Sequence, residues 1–430
     1  MGPDLRIGIA GLGTVGGGTL RLLQDNAELL ATRTGRHLRV TAVSARDKAK
    51  ARGLDLAGIR WIADARALAE DPEVDVVCEL IGGSEGVARD LVTAALRHGK
   101  SVVTANKALL AHHGGELAAI ADAAGVSLGF EPAVAGGIPI VKSLREGLAA
   151  NRISRVYGIL NGTSNYILTT MRENGRDFAD VLAEAQSLGY AEADPSFDID
   201  GIDAAHKLAL LAAVAFGGRP RFDAIHIEGI RHVTAMDIAF ADQLGYRIKL
   251  LGVARMTGAG LEQRLHPCMV RRDSPIAQVE GVFNGVVVEG DGVDAVMHEG
   301  RGAGAGPTGS AVVADLVDIA RGLRLPVFGV RADRLADHRI APMSAHEGSY
   351  YIRLMVLDRP GVMADVTAVL RDHQVSIASL IQQGRNPGQG VPIVLTSHDT
   401  VEAAMTGALA AIASLETVLE PPRMIRIERL

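Results

Sequence analysis

The chain is short of the residues that mark several protein classes. Only two of its 430 residues are cysteine, Cys78 and Cys268. They can build neither a disulfide framework nor a CxxC zinc spacing. Cys78, inside VDVVCEL, reads as a small core residue on a buried strand. Long basic runs are missing and the formal net charge is −6, so no nucleic-acid partner is expected. No apolar run approaches the roughly 18 residues of a membrane span. The N-terminus passes almost at once into LRIGIAGLG, without the charged and apolar regions of a secretion signal. These absences predict a reducing, cytoplasmic setting and no membrane partner. HExxH and paired-carboxylate metal patterns are absent too. The histidines therefore receive no catalytic role: adjacent His112 and His113 are expected to be exposed, and His206 to face away from Lys207.

What is present is apolar and glycine-rich. Hydrophobic residues make up 48% of the chain, enough for a sizeable core, and the length suits two or three domains. Residues 5–10, LRIGIA, read as a buried strand. GLGTVG follows at 11–16, and then a helical pattern. Strand, glycine loop and helix in that order are the context in which GxGxxG signals dinucleotide binding. Gly11 permits the tight turn, Gly13 lets the backbone approach a pyrophosphate, and Gly16 lets the helix pack on the strand. The phosphates then sit at the helix N-terminus.

A second strand, LRVTAV (38–43), is followed by Ser44, Ala45, Arg46, Asp47 and Lys48. An arginine here can pair a 2′-phosphate, so Arg46 favours NADP over NAD, while Asp47 keeps NAD open. Strands are expected at 75–83, 101–107 and 126–130, with helices between them. That alternation predicts a Rossmann-type doubly wound parallel sheet whose ligands lie beyond the strand ends. Ser84 and the segment Thr104–Ala105–Asn106–Lys107 stand at two of those ends, so Lys107 is expected to point at the cofactor crevice.

Residues 192–207, EADPSFDIDGIDAAHK, put five carboxylates and Lys207 directly before the all-apolar run LALLAAVAF. A helix apolar all round belongs in a core. Asp203 and Lys207 are four apart and share one face. Carboxylates at a helix start explain one or two of the acids. They do not explain a lysine at the threshold of the core, because buried charge must be paired.

Several stretches carry a family resemblance: GLGTVG (11–16), ELIGG (79–83), VVTANKALL (102–110), FEPAVAGGIPI (130–140), GILNGTSNYIL (158–168), AEADPSFDIDGIDAAHKLALLA (191–212) and GAGPTGSAVVADLVDIAR (304–321). In order and spacing the chain resembles a monofunctional homoserine dehydrogenase with a C-terminal ACT domain. The resemblance implies NAD(P)-dependent interconversion of L-homoserine and L-aspartate 4-semialdehyde in threonine, methionine and isoleucine biosynthesis. It implies Lys207 as proton donor, with Lys107 beside the nicotinamide and substrate. Glu192, Asp198 and Asp203 would surround the substrate, with Gly162 and Thr163 of NGTSN holding it. Asp194 and Asp200 are left with helix capping or solvation. Cofactor contacts are implied at Gly11, Gly13, Thr14, Val15, Gly16, Arg46, Ser84, Ala105, Lys107 and Gly304. The 130–140 loop resembles a site for a sodium- or potassium-like ion held by Glu131 and the carbonyls of Val134, Gly136 and Ile138. A structural glycine turn is the other reading of that loop. Two departures from the family pattern stand out: Ser164 replaces a threonine, and Pro132 an alanine.

The implied domains are a dinucleotide-binding domain over 1–132, with 304–325 returning to it, and an α+β substrate and dimerisation domain over 133–303. A linker over 326–348 and an ACT domain over 349–430 complete the chain. In the last part the order strand (350–357), helix, strands VSIASLIQQG (375–384) and VPIVLTSH (391–398), helix (400–415), strand (424–430) gives a ferredoxin-like βαββαβ unit. Its turn DRPGV places Asp358 and Gly361 beside an amino-acid effector, by resemblance L-threonine. A homodimer or homotetramer is implied. The reading from another class is a non-catalytic amino-acid sensor. Such a protein should have lost Lys107, Lys207 or the glycine loop, and this chain keeps all three.

Overall fold

The computed structural model describes residues 2–383 and 389–430; Gly384, in the expected strand 375–384, lies outside them. A first sheet holds strands β1 (Leu5–Ala10), β2 (Leu38–Ser44), β3 (Arg60–Trp61), β4 (Val76–Glu79), β5 (Ser101–Thr104) and β6 (Leu128–Gly129) in the order β3-β2-β1-β4-β5-β6. All its pairings are parallel. The order reverses direction at β1, and the crevice beyond the strand ends there is where such sheets bind ligands. Ile7, Ile9, Val43, Val76 and Val103 are fully or almost fully buried, as expected for strands covered on both faces.

The sequence overextends three of these strands, the one expected over 126–130 keeping only Leu128–Gly129. The stretch expected as strand over 75–83 stops at Glu79, because both oxygens of its buried carboxylate are engaged: one accepts from the Ile81 and Gly82 amides, the other from the Thr104 hydroxyl. The stretch expected over 101–107 stops at Thr104, and Lys107 opens the helix Lys107–Ala124. Asn106 caps that helix, its side chain accepting from the Leu109 amide, as asparagine favours.

The helix Ala305–Ala320 returns to this domain against the helix Thr14–Asp25. The crossing is held by absence of side chain: a Cβ at Gly18 would stand 2.1 Å from the Ala305 carbonyl oxygen.

The second sheet comprises β7 (Ile153–Ile159), β8 (His226–Ile227), β9 (Tyr246–Thr257), β10 (Gly260–Arg271), β11 (Phe283–Gly290), β12 (Asp294–Arg301), β13 (Glu347–Leu357), β14 (Ile377–Gln382), β15 (Gly390–Ser397), β16 (Thr400–Val401) and β17 (Arg423–Glu428). Its main path runs β12-β11-β7-β9-β10-β17-β13-β15-β14. The C-terminal unit, with helices Val362–Asp372 and Glu402–Ala413 on one face, is therefore not a separate body. Its edge strand β17 pairs in parallel with β10, Cys268 opposite Arg426 and Val270 opposite Glu428. The seam buries charge. Arg264 lies between Glu262, at 2.6 Å, and Glu428, and Arg426 between Glu402 and Glu228. The 326–348 connection is packed as well: Phe328 is buried with its ring 5.5 Å from that of Phe130.

Beneath the second sheet runs the helix Ile202–Phe216, buried from Asp203 to Val214. It begins after Gly201 (φ 87) and ends at Gly217 (φ 60), both left-handed, the usual way to stop a helix without a side-chain penalty. No helix among the described residues is long and apolar enough to cross a membrane.

Candidate active site

The glycine loop divides two cavities. A Cβ on Gly11 (φ 100) would meet the Leu80 carbonyl at 2.4 Å, and one on Gly16 would fall 1.9 Å from the Gly11 oxygen. Both positions demand glycine. The helix Thr14–Asp25 has no side-chain cap and no acid in its first turn, leaving its N–H groups and dipole for an anion. On one side a cavity of about 610 Å³ is bordered by Gly11, Gly13, Arg46, Lys50 and Arg52. On the other, one of about 570 Å³ is bordered by Thr14, Val15, Ala105, Lys107 and Gly304, and continues to Gly162, Thr163, Asp198, Asp203 and Lys207. Ser84 borders neither. Asp47 Oδ1 accepts from the amides of Ala49 and Lys50, at 2.8 and 3.2 Å.

The 570 Å³ cavity contains one tight charge cluster. Lys207 Nζ donates to Asp203 Oδ2 and to the Leu160 carbonyl, each at 2.7 Å. Lys107 Nζ reaches the other oxygen of the same carboxylate at 3.0 Å. Asn161 Nδ2 donates to Asp203 Oδ2 at 2.9 Å and to Asp198 Oδ1 at 2.8 Å. Two lysines and two aspartates thus balance around one side-chain amide. Lys207 and Asp203 are buried, 8% and 6% exposed. Burial pulls the Lys207 ammonium below its ordinary range, and Asp203 opposes that shift. Burial would raise the Asp203 carboxyl, but the two lysines hold it well below the carboxylate range. Asp198 is raised, by burial and then by the Asp203 charge. The result is a desolvated lysine that can hold a proton and also release it, beside a carboxylate that stays ionised.

The helix Gly162–Asn174 is capped by Asn161, whose side chain accepts from the Ser164 amide at 2.8 Å. Its first amides therefore open on the cavity. Thr163 donates to the Tyr190 carbonyl at 2.8 Å. Glu192 is exposed and outside the cavity lining. Asp194 accepts from the Ser196 amide, and Asp200 pairs with Arg231, the capping and surface roles the sequence allowed them. Sequence reasoning missed Asn161 and Tyr190. Asn161 lies within the quoted NGTSN motif and reads there as an ordinary cap residue. Tyr190, a cavity-wall residue packed 4.8 Å from Tyr166, has no local signal at all.

The 130–140 loop is built around Glu131. Its two oxygens accept from the Val141 and Lys142 amides at 3.0 and 2.8 Å, and its own amide donates to Asp315 at 2.9 Å. Ala135 (φ 54) and Gly136 (φ 46) are both left-handed, and the Ile138 amide donates to the Ala135 carbonyl at 3.0 Å, closing a tight turn. Burial, then the Asp315 charge, lifts the Glu131 carboxyl to about 7. Lys142 is itself taken by Asp315 and Asp318. A buried carboxylate short of positive charge, beside a loop of carbonyls, fits a hard monovalent cation.

His112 is exposed, whereas His113 is part-buried and bonded to Glu85 at 2.5 Å. His206 stacks on Phe222 with centroids 4.3 Å apart, and burial lowers it to about 4. His266, Cys268 and Glu428 lie close enough together to share an ion, but Arg264 already occupies Glu428 and the His266 Nε2. At the far end of the chain, Gly361 (φ 98) starts the helix Val362–Asp372, and the Asp358 amide donates to the Gln389 carbonyl.

Comparison with known proteins returns matches to three families: "Homoserine dehydrogenase, NAD binding domain" over residues 11–131, "Homoserine dehydrogenase" over 139–317, and "ACT domain" over 350–417. The chain is 49% identical to a homoserine dehydrogenase of Pseudomonas aeruginosa, over 99% of each chain. It is 47% identical to one of Neisseria gonorrhoeae, again over 99% of each. The crystal structure of a homoserine dehydrogenase from Thiobacillus denitrificans superposes with a TM-score of 0.94 at 49% identity, covering 99% of this chain and 98% of that one. A hyperthermophilic archaeal homoserine dehydrogenase in complex with NADPH superposes with a TM-score of 0.63 at 29% identity, over 74% of this chain and 98% of that one.

Proposed function

The chain belongs to the homoserine dehydrogenase family, an oxidoreductase with a nicotinamide cofactor and an ACT domain, and we propose the following reading of its site. L-Aspartate 4-semialdehyde and L-homoserine occupy the 570 Å³ cavity. The observation that carries this is the single buried Asp203 carboxylate gripping both Lys107 and Lys207 where that cavity meets the glycine loop.

When bound, the nicotinamide supplies or accepts the hydride. The chain's own residues do the rest. Lys207 Nζ donates its proton to the oxygen as negative charge develops there, and takes one back in the reverse direction. Lys107 polarises the same carbonyl. Asp203 keeps both lysines in place, and Asp198, with Glu192 at the rim, receives the substrate ammonium. The first amides of the helix at Gly162 and Thr163 face the α-carboxylate.

Arg46 gives NADP the advantage over NAD, since Asp47 is spent on a turn. Glu131, with the Val134, Gly136 and Ile138 carbonyls, would hold sodium or potassium and stiffen the loop between nucleotide and substrate. L-Threonine acts at the Asp358–Gly361 turn and slows turnover, an allosteric coupling of roughly 1–3 kcal/mol being sufficient. The enzyme works in the cytoplasm as a homodimer or homotetramer.

The test is nicotinamide absorbance with L-homoserine and NADP or NAD, each with and without L-threonine, in sodium or potassium buffer. Faster reduction with NADP, lost in Arg46→Ala, and slowing by threonine are expected. No reduction with either nucleotide by a folded protein that still binds threonine would replace this reading with an amino-acid sensor.

A further inference from the structure

Asn284, on β11, is 1% exposed and lies in the wall of the 570 Å³ cavity. Neither its Nδ2 nor its Oδ1 has a hydrogen-bond partner among the described residues. A buried side-chain amide with both ends unpaired is costly, and native structures rarely keep one without a use. Its surroundings show which way it can bond. A Cβ on Gly302 would stand 2.3 Å from Nδ2, 2.3 Å from Cγ and 2.4 Å from Oδ1. Near-equal distances to all three atoms put Gly302 over the flat face of the amide. Both edges stay clear of it, and only glycine tolerates this approach. The Oδ1 edge faces Gly162, whose Cβ would lie 3.6 Å away. The amide therefore sits between the glycine run that leads to Gly304 and the start of the substrate-side helix.

We propose that Asn284 receives the carboxamide of the nicotinamide ring, Nδ2 donating to its oxygen and Oδ1 accepting from its nitrogen. This rests on the reading that the cavity takes the reacting end of the nucleotide. The chemistry selects the ligand. The amino-acid substrate brings an ammonium and a carboxylate, and the cavity meets it with Asp198, Asp203 and two lysines. Asn284 is the cavity-wall amide left with neither end bonded among the described residues, and its one donor edge and one acceptor edge match the one neutral carboxamide in the reaction. The pairing would fix which face of the ring is turned to the substrate.

The test is direct binding of NADPH, followed by its fluorescence or by calorimetry, to the wild type, Asn284→Leu and Asn284→Ala. 2′-Phospho-ADP-ribose, which lacks the nicotinamide, is titrated in parallel. The variants should bind NADPH about tenfold to a hundredfold more weakly, as expected for one or two lost hydrogen bonds, and 2′-phospho-ADP-ribose as tightly as the wild type. Unliganded Asn284→Leu should melt no lower than the wild type, since an unpaired buried amide has been replaced by an apolar group of similar shape. Three results overturn the assignment. NADPH affinity unchanged with a raised KM for homoserine would give the amide to the substrate. Equal weakening of both nucleotides, with a lower melting temperature, would make Asn284 a prop for the Gly302 loop. A wild type that binds neither nucleotide would remove the nucleotide reading itself.

Discussion

Replacing Asp203 with Asn tests the electrostatic core of the site. The carboxylate lies 2.7 Å from Lys207 Nζ and 3.0 Å from Lys107 Nζ. Removing one partner of a buried pair typically costs about 3–5 kcal/mol. Lys207 has a way out: its ammonium keeps neutral acceptors such as the Leu160 carbonyl, loses the charge it touches, and can lose its proton. At about 1.36 kcal/mol per unit, that cost becomes a fall of roughly 2–4 units in a pKa that burial already holds below 10.5. Carbonyl reduction needs Lys207 protonated. The alkaline limb of kcat for reduction of L-aspartate 4-semialdehyde should therefore move about 2–4 units toward acid. The stability change has the matching sign. The variant's folded state gives up the lysine proton at lower pH than its unfolded state does, so its stability rises with pH between the two values. Its deficit against the wild type should shrink as pH climbs toward that of a free lysine. NADPH oxidation across pH, with thermal melts at the same points, measures both. A large loss of turnover with the alkaline limb unmoved would refute the reasoning and leave Asp203 as a substrate contact with no hold over Lys207.

Lys207→Met should lower turnover by about 10²–10⁴ with the NADPH dissociation constant unchanged; an equal loss of NADPH binding would show damage to the fold. Gly16→Ala should abolish nucleotide binding, because its Cβ would fall 1.9 Å from the Gly11 carbonyl oxygen and backbone cannot give way; titration with NADPH decides it, and ordinary affinity would disprove the assignment. Glu131, lifted from 4.5 to about 7, keeps a proton in the folded chain that the unfolded chain has released, so stability falls as pH rises through that window. Sodium should replace that proton, and its gain in melting temperature over choline should be larger above pH 7 than below about pH 5; equal gains would count against a cation on Glu131.

What the sequence made legible was local. GLGTVG declares its turn because a tight loop, a close backbone approach and a helix start each require glycine at a fixed position. The apolar run after Lys207 declares a buried helix for the same kind of reason, and the four-residue step from Asp203 puts both groups on one face. Glu192 shows the limit of such reading. It sits in the same acidic stretch as Asp198 but is exposed and outside the cavity lining, whereas Asp198, in the short helix Ser196–Ile199, meets Asn161. Asn161, Tyr190 and Asn284 escaped because each meets the cavity through contacts distant in sequence, as in Asn161 with Asp198, Thr163 with Tyr190 or Asn284 with Gly302.

The seam between β10 and β17 was invisible for a further reason. Each strand carries arginines and glutamates among its apolar residues, which by itself suggests a face turned to solvent. Only their parallel pairing brings Arg264 and Glu428 together out of water. Buried pairs of this kind contribute little net stability but are strongly destabilising when one partner is lost. They therefore set the register of the two strands more firmly than three backbone pairings alone could. With that register fixed, the ACT sheet and the sheet above the catalytic helix Ile202–Phe216 form one continuous surface. A change in twist imposed at the Asp358–Gly361 turn can reach β13, β17 and β10 through paired strands, without any hinge in between. On that geometry, Arg264→Met paired with Glu428→Leu should leave the fold and basal turnover intact while weakening any response of turnover to L-threonine. Full retention of that response would mean the two domains communicate by another route.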